Sequence, residues 1–510
     1  MMVVTNRCDW PKMDSSFIQL LGLFDTTNPD TLQSQAMFKS ALALSHLYNI
    51  TYHGYPLGWQ DFNIIDSSYN SESISIINEL DITCQAVSNS EIIGIVGSIN
   101  SLIALFAEKI GIPSMASFTS DILSRNQYST LHRVLPTDIT KALAIAQLFT
   151  KYEWTQCVVI NTIDLYGLNG LDVLTEQFNK NSVRIVNKIR FDTITQTILD
   201  GDLEQLLITG TARIIVVWAN SNATMSILDN AIKQNVLSSK FLWILTSNIT
   251  LDKYNSTERK KFVGTLIVDT TVGSVINEPV NTTLLNNVCD IWQQYEPETF
   301  PGQNGISPSA LFTFDAAWTL IQSLKGLNTT EQLYYSNCST NCFDCQLYNV
   351  NYLLNIVQNI SFLGLTGLVS YDSQTNDRLS NGSYFLIQNI QPTTNLNDIH
   401  FMSVLKWINS KWYDYIDRNL IVWPGIQLNP FVDYPTLDSI PLRICVVNVE
   451  PFIIMENNSN HSMIGYSMDI INVLQQQLGF IPNIILQPSN RTRDQLIDDL
   501  VNNVYDMVVG

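Results

Sequence analysis

The chain has 510 residues, 45% apolar and only 14% charged, which is a globular composition and not a disordered one. Its formal net charge of −19, from 27 basic and 46 acidic residues, repels phosphate backbones, and no Lys/Arg run offsets it, so nucleic acid is excluded as a partner. The length exceeds one hydrophobic core and implies several lobes of about 100–200 residues.

In chain order, residues 17–24 read as a short apolar strand. Residues 31–48 follow with Met37, Ala41, Leu44 and Tyr48 at helical spacing. EIIGIVG (91–97) reads as a buried strand running through Ser98 into a helix over 100–110. CVVI (157–160) is a further strand, with a helix at about 170–179, and IIVVW (214–218) and FLWIL (241–245) repeat the pattern. Continuous apolar strands separated by helices predict parallel sheets covered on both faces, a doubly wound α/β architecture running to about residue 389. The proline-containing run IVWPGIQLNPFVDYP (421–435) is expected to lead into a linker, placed at 429–440. Beyond it, LRICVV (442–447), a helix over 468–478 with Met468, Ile471, Leu474 and Leu478 on one stripe, a strand at 483–486, a helix over 493–502 and YDMVV (505–509) open a second α/β domain. That domain breaks off at Gly510, so the chain reads as incomplete.

No stretch approaches the ~18 consecutive apolar residues that cross a bilayer. The opening MMVVTNRCDWPK shows no signal peptide, which fits an incomplete gene model. Eight cysteines are present, and Cys338, Cys342 and Cys345 crowd one polar loop. Disulfides in an oxidising compartment, half of a zinc site, and free thiols are the three readings of that loop. Cys157 and Cys445 lie in apolar strands and read as buried thiols. Twelve Asn-x-Ser/Thr sequons permit secretion without proving it.

No Walker loop, His-Glu-x-x-His or nucleophile elbow occurs, and the five histidines are scattered. An enzyme is not expected, nor a cofactor or metal. The informative stretch is IIGIVGSINSLIALFAEKIGIPSMASFTSDILS (92–124), where strand ends lead into Ser98, Ser101, Ser117 and Thr119. Amides at a helix N-terminus carry partial positive charge and take carboxylates, so two hydroxyl-rich loops at adjacent strand ends can clamp a small polar ligand. The alternative is that these serines only cap helices.

This segment resembles the bilobed amino-acid-binding ectodomains of ionotropic glutamate receptors, family C G-protein-coupled receptors and natriuretic-peptide receptors. LFDTTNPDTLQSQAMFKSALALSHLYNI, LHRVLPTD, YEWTQCVVINTIDLYGLNG, ALFTFDAAWTLIQSLKGL and ISFLGLTGLVSYDSQTNDRLSNGSYFLIQNI extend the resemblance, in order, over about residues 15–430. The tail, LRICVVNVEPFIIM with GYSMDIINVLQQQLGF and YDMVVG, resembles the first part of the ionotropic glutamate-binding domain.

The resemblance implies a type I periplasmic-binding-protein-like domain at 15–428, a linker at 429–440 and a truncated type II domain at 441–510. It implies the extracellular sensor of a ligand-gated cation channel that binds an amino acid, assembles into homo- or hetero-oligomers and is held in the cell membrane by segments outside this chain. A G-protein-coupled receptor ectodomain and a soluble amino-acid-binding protein are the alternatives. The expected first cleft comprises Ser98, Ser101, Ser117, Thr119 and Tyr166, the last at the end of the first strand of lobe two. By the resemblance, Glu450 and Phe452 are expected to line the second domain's cleft. By the same resemblance Cys84, expected just after the second helix, bridges to one of Cys338, Cys342 and Cys345.

Overall fold

The computed structural model describes residues 10, 18–24, 29–63, 72–118, 128–327, 332–336, 342–393, 398–416, 420–435, 437, 440–447, 449–455, 463–488 and 491–509. The chain forms two compact units, Met1–Asp433 and Tyr434–Gly510. The first is an α/β, type I periplasmic-binding-protein-like unit of two lobes, each built on its own sheet.

Lobe one centres on a five-stranded parallel sheet with Gln19–Phe24 and Ile92–Ser98 at its middle, every residue of Gln19–Phe24 buried. Helix Pro29–Leu47 turns Met37, Ala41 and Leu44 fully inward. Tyr48, expected on that stripe, lies past the helix end, 42% exposed, its ring edge-on to Trp318. The return helix Pro308–Lys325 is apolar nearly all round and almost entirely buried, because it packs between the sheet and the first helix. Ser307 caps its N-terminus and proline occupies its first turn, where a missing N–H costs nothing.

Lobe two holds a nine-stranded sheet. Gln156–Thr162, Ile214–Trp218, Leu242–Leu245 and Leu266–Thr271 pair in parallel, as alternating strands and helices require. The uniformly parallel sheet expected to about residue 389 stops there: Tyr384–Pro392, Ile399–Ile408 and Lys411–Asp414 add on antiparallel. Ile399–Ile408 and Lys411–Asp414 are joined by the turn at Asn409 and Ser410, too short for any but antiparallel pairing.

The chain crosses between lobes three times, and one buried group joins the crossings. Asp315, on the return helix, accepts from the Leu365 and Thr366 amides at 2.8 and 2.9 Å and from the Thr366 hydroxyl at 2.5 Å. Thr366, in the third crossing, accepts from Arg378 at 2.6 Å, and its carbonyl takes the Gly273 amide of the second crossing at 2.9 Å. Arg378 also donates to Val134 of the first crossing and to Leu368. Burial pushes the Asp315 carboxyl up and the Arg378 guanidinium down, while each one's charge opposes the other's shift. Next to this knot Arg133 grips Asp377 with two hydrogen bonds, at 2.5 and 2.9 Å.

At the opposite end of lobe two the chain is strapped down to Asp433. Its carboxylate accepts from the Thr155 and Gln156 amides, its carbonyl from the Arg213 amide, and Trp154 donates its indole N–H to the Phe431 carbonyl. The strap turns at Trp423, which is buried against Tyr152 and Trp154.

Cys84 is bonded to Cys342 with a Cα separation of 5.4 Å. Cys84 lies inside helix Glu72–Asn89 and not after it, the helix running on to Asn89 just before the next strand. Cys345 is also disulfide-bonded, Cys338 lies outside the described residues, and Cys157 and Cys445 are buried free thiols.

The second unit is a three-stranded parallel sheet, ordered Ile481–Leu486, Pro441–Val446, Met507–Val509, with helices Tyr466–Leu478 and Arg493–Val501. Ile471 is fully buried, with Met468 and Leu474 partly so. Leu478 is 43% exposed, contrary to its expected place on the stripe; Phe480, just past the helix, fills the core instead. Among the described residues no helix is long and apolar enough to cross a membrane.

Two stability predictions follow from these contacts. Arg378→Met leaves the Asp315 carboxyl without its opposing charge and the Val134 and Leu368 carbonyls without a donor. It should cost about 3–5 kcal/mol in urea unfolding of the first unit. The disulfide joins residues 258 apart; replacing Cys84 and Cys342 together by serine should cost about 4–5 kcal/mol by the chain-entropy relation.

Candidate functional site

Topology decides where a ligand can sit. The first crossing leaves lobe one at the carboxyl end of strand Leu131–Arg133, and the second leaves lobe two at the carboxyl end of Leu266–Thr271. Both sheets therefore turn their carboxyl ends toward the same hinge, the edge at which open α/β sheets bind ligands.

On the lobe-one side, strand Ile92–Ser98 ends beside Ser114–Phe118. Gly97 has φ +129, and a Cβ there would collide with the Leu23 carbonyl, so only glycine brings these strands together at the mouth. Ser98 is half-buried at the strand end. The helix begins one residue later than expected, at Ser101, because Asn100 is the cap: its side-chain oxygen accepts from the Leu102 and Ile103 amides at 3.0 Å each, and its amide donates to Glu79. Ser101 is exposed in the first turn. Ser117, expected in an open loop, lies within the strand and is 1% exposed, because the strand runs on past it at a bulge that pairs Ser98 with Phe118. Its hydroxyl has no hydrogen-bond partner among the described residues. Thr119 lies outside the described residues.

On the lobe-two side, strand Gln156–Thr162 ends in a turn capped by Asp164, which accepts from the Gly167 amide and the Thr162 hydroxyl at 2.8 Å each. Tyr166 is thus in the first turn of helix Leu165–Lys180 and not at the strand end, since the Asp164 cap starts the helix one residue before it. Its ring is half-buried against the lobe core, 6.4 Å from that of Trp218. Gly170 lets this helix lie flat on the Trp218 indole, where any Cβ would collide. The structure thus sets Ser98 and Ser117 side by side on one sheet edge and Tyr166 on the other lobe's mouth.

Several mouth residues were not singled out by sequence. Trp218 and Asn161 are register partners, both fully buried; the Trp218 N–H and the Asn161 carbonyl oxygen find no hydrogen-bond partner among the described residues. Lys141 donates to the Thr246 carbonyl at 3.2 Å, and Asn248 donates to Asp269 at 2.5 Å. Burial raises the Asp269 pKa, against the opposing pull of the Lys141 charge and the Asn248 amide. The available signal was an acid inside the apolar strand LIVDTT.

In the second unit a groove of about 670 Å³ opens at the carboxyl ends of the strands, lined by Val447, Phe452, Gln487, Leu496 and Val508 among others. Phe452 is 41% exposed there, edge-on to Tyr466. Glu450 is exposed and does not line the groove.

A two-lobed α/β unit hinged by three crossings, with both sheets' carboxyl ends at the hinge, is the architecture of a ligand-binding receptor region. Residues 78–388, more than half of the chain, match the receptor family ligand binding region, and the chain belongs to that family. It is 22% identical to glutamate receptor 3.7 of Arabidopsis thaliana over 469 residues, covering 82% of this chain and 48% of that protein. Against glutamate receptor 3.1 of rice, Oryza sativa subsp. japonica, it is 22% identical over 62% of this chain and 35% of the relative. Against metabotropic glutamate receptor-like protein E of Dictyostelium discoideum the figures are 21%, 63% and 38%. The chain spans about half or less of the length of these relatives. It is a receptor-family ligand-binding region, and the relatives it matches are glutamate receptors.

A raised Asp269 pKa means the folded chain holds that proton more tightly than the unfolded chain does. Stability should therefore fall as pH rises from the ordinary value of 3.8 through the raised folded value. Asp269→Asn should remove its share of that fall and leave the part due to Asp315, which urea midpoints measured between about pH 4 and pH 7 can read.

Proposed function

We propose that this chain is the extracellular sensor portion of a ligand-gated ion channel of the ionotropic glutamate receptor type, with an amino acid or similar small molecule as ligand. The observation that carries this reading is the order of the two units: a bilobed region through Asp433, then a separate α/β unit that this reading takes as the start of a second binding domain. The share of chain matched supports the same reading, 82% for the plant glutamate receptor 3.7 against 63% for the Dictyostelium metabotropic glutamate receptor-like protein E.

In this reading the ligand lies between the lobe mouths. Its carboxylate faces the hydroxyls of Ser98 and Ser101, and Tyr166 packs against its body from lobe two. Closure bends the three crossings around the Asp315–Thr366–Arg378 knot. The first unit would also direct assembly of subunits, and membrane attachment would come from sequence outside this chain. In the second unit Phe452 would line the cleft and Glu450 would stand at its edge.

Thermal-shift and calorimetric screening of the 510-residue chain against the twenty amino acids tests the binding claim. At least one should raise the melting temperature, and Tyr166→Ala should weaken it about tenfold or more. Absence of any hit, or a Tyr166→Ala affinity equal to the parent's, would sink the assignment of the first cleft. The channel claim is tested separately by the continuous transcript: a re-entrant pore loop between membrane helices supports it, and a seven-helix bundle overturns it.

A further inference from the structure

Away from the lobe mouths, a groove of about 930 Å³ opens on lobe one between the return helix, the end of the first helix and the third crossing. One wall is aromatic. The Trp318 indole stacks on Phe314 at 5.5 Å and meets the ring of Tyr48 edge-on at 5.9 Å, with Phe362 and Ile356 also lining the space. Such surface favours a flat or branched apolar body.

The polar lining is one-sided in charge. Among the described residues, Lys325, exposed in the last turn of the return helix, is the only charged one lining the groove, and it has no hydrogen bond or ion pair. In a chain with 46 acidic residues against 27 basic ones, the described lining of this groove carries a cation and no acid. Gln322 and Thr283 add neutral donors. Asn281 uses its side-chain oxygen to cap the Leu284 amide at 3.0 Å, which leaves its NH₂ as the group it can offer.

We propose that this groove is a second ligand site, separate from the cleft, for a small organic carboxylate with an aromatic or branched apolar body. The carboxylate pairs with Lys325 and the body lies on Trp318. An occupant would touch the hinge directly. Asn281 donates its backbone N–H to the Gly364 carbonyl at 2.9 Å, and Ser361, also on the groove, leads through Phe362 and Leu363 to Gly364 and the Asp315–Thr366 contact. The site is therefore placed to bias lobe opening.

The test uses the intact 510-residue chain, with 4-phenylbutyrate and indole-3-propionate as probes and their primary amides as neutral matches. Calorimetry and quenching of tryptophan fluorescence should show the acids binding about tenfold or more tightly than the amides, as a charge-assisted contact requires. Lys325→Gln should abolish that preference and Lys325→Arg should keep it. Since Lys325 is an exposed helix-end residue, both variants should retain the parent's circular dichroism and melting temperature. A saturating amino acid that occupies the cleft should not displace the probe. Equal binding of acid and amide, an unchanged preference in Lys325→Gln, displacement by the cleft ligand, or no binding of either probe overturns the proposal.

Discussion

The buried chain of Asp315, Thr366 and Arg378 is the constraint on which the first unit depends. A bilobed protein must let its lobes move while holding three separate chain crossings in one place. Backbone pairing alone does this poorly, because the crossings are short and run in different directions. A carboxylate, a hydroxyl and a guanidinium, all with 2% exposure or less, gather backbone groups from all three crossings into one network. Each polar group is satisfied, which is the condition under which a buried network stabilises rather than costs. The Arg133–Asp377 pair flanks it and fixes the first and third crossings relative to one another.

That arrangement gives the unit two functionally different ends. The carboxyl ends of both sheets meet the hinge, so hydroxyls, capped helix starts and the Tyr166–Trp218 pair collect there. At the amino end of lobe two the strap closes on Asp433 and Trp154, and the chain leaves the unit from that firmly held edge. The second unit has a different character. Its core is small, centred on Ile444, Val446, Ile453, Ile471 and Phe480, and Val449, Phe452, Ile497 and Val501 remain exposed.

Much of the fold was legible in the sequence because apolar continuity and helical spacing are local signals. IIVVW is a strand over those same five residues, and the Met37–Ala41–Leu44 face is buried as its period requires. Errors fell where a local signal was overruled by neighbours. Tyr48 continued an apolar stripe past the end of its helix, and Leu478 continued one to the last, exposed residue of its helix. Ser117 read as a loop hydroxyl because serine favours turns, yet sheet pairing drew it inside. Tyr166 moved into a helix because an aspartate two residues earlier caps it.

The sequence by itself determined the α/β class, the alternation of strands and helices and the acidic character of the chain, because these depend on composition and on contacts within a few residues. Tertiary structure alone decided which cysteine meets Cys84, that Asp315, Thr366 and Arg378 form one knot, and that Asn161 lies beside Trp218. Those partners are tens to hundreds of residues apart, and no local periodicity encodes the pairing. Only the closing of sheets and crossings, driven by burial of their shared apolar faces, brings them within hydrogen-bonding or packing distance.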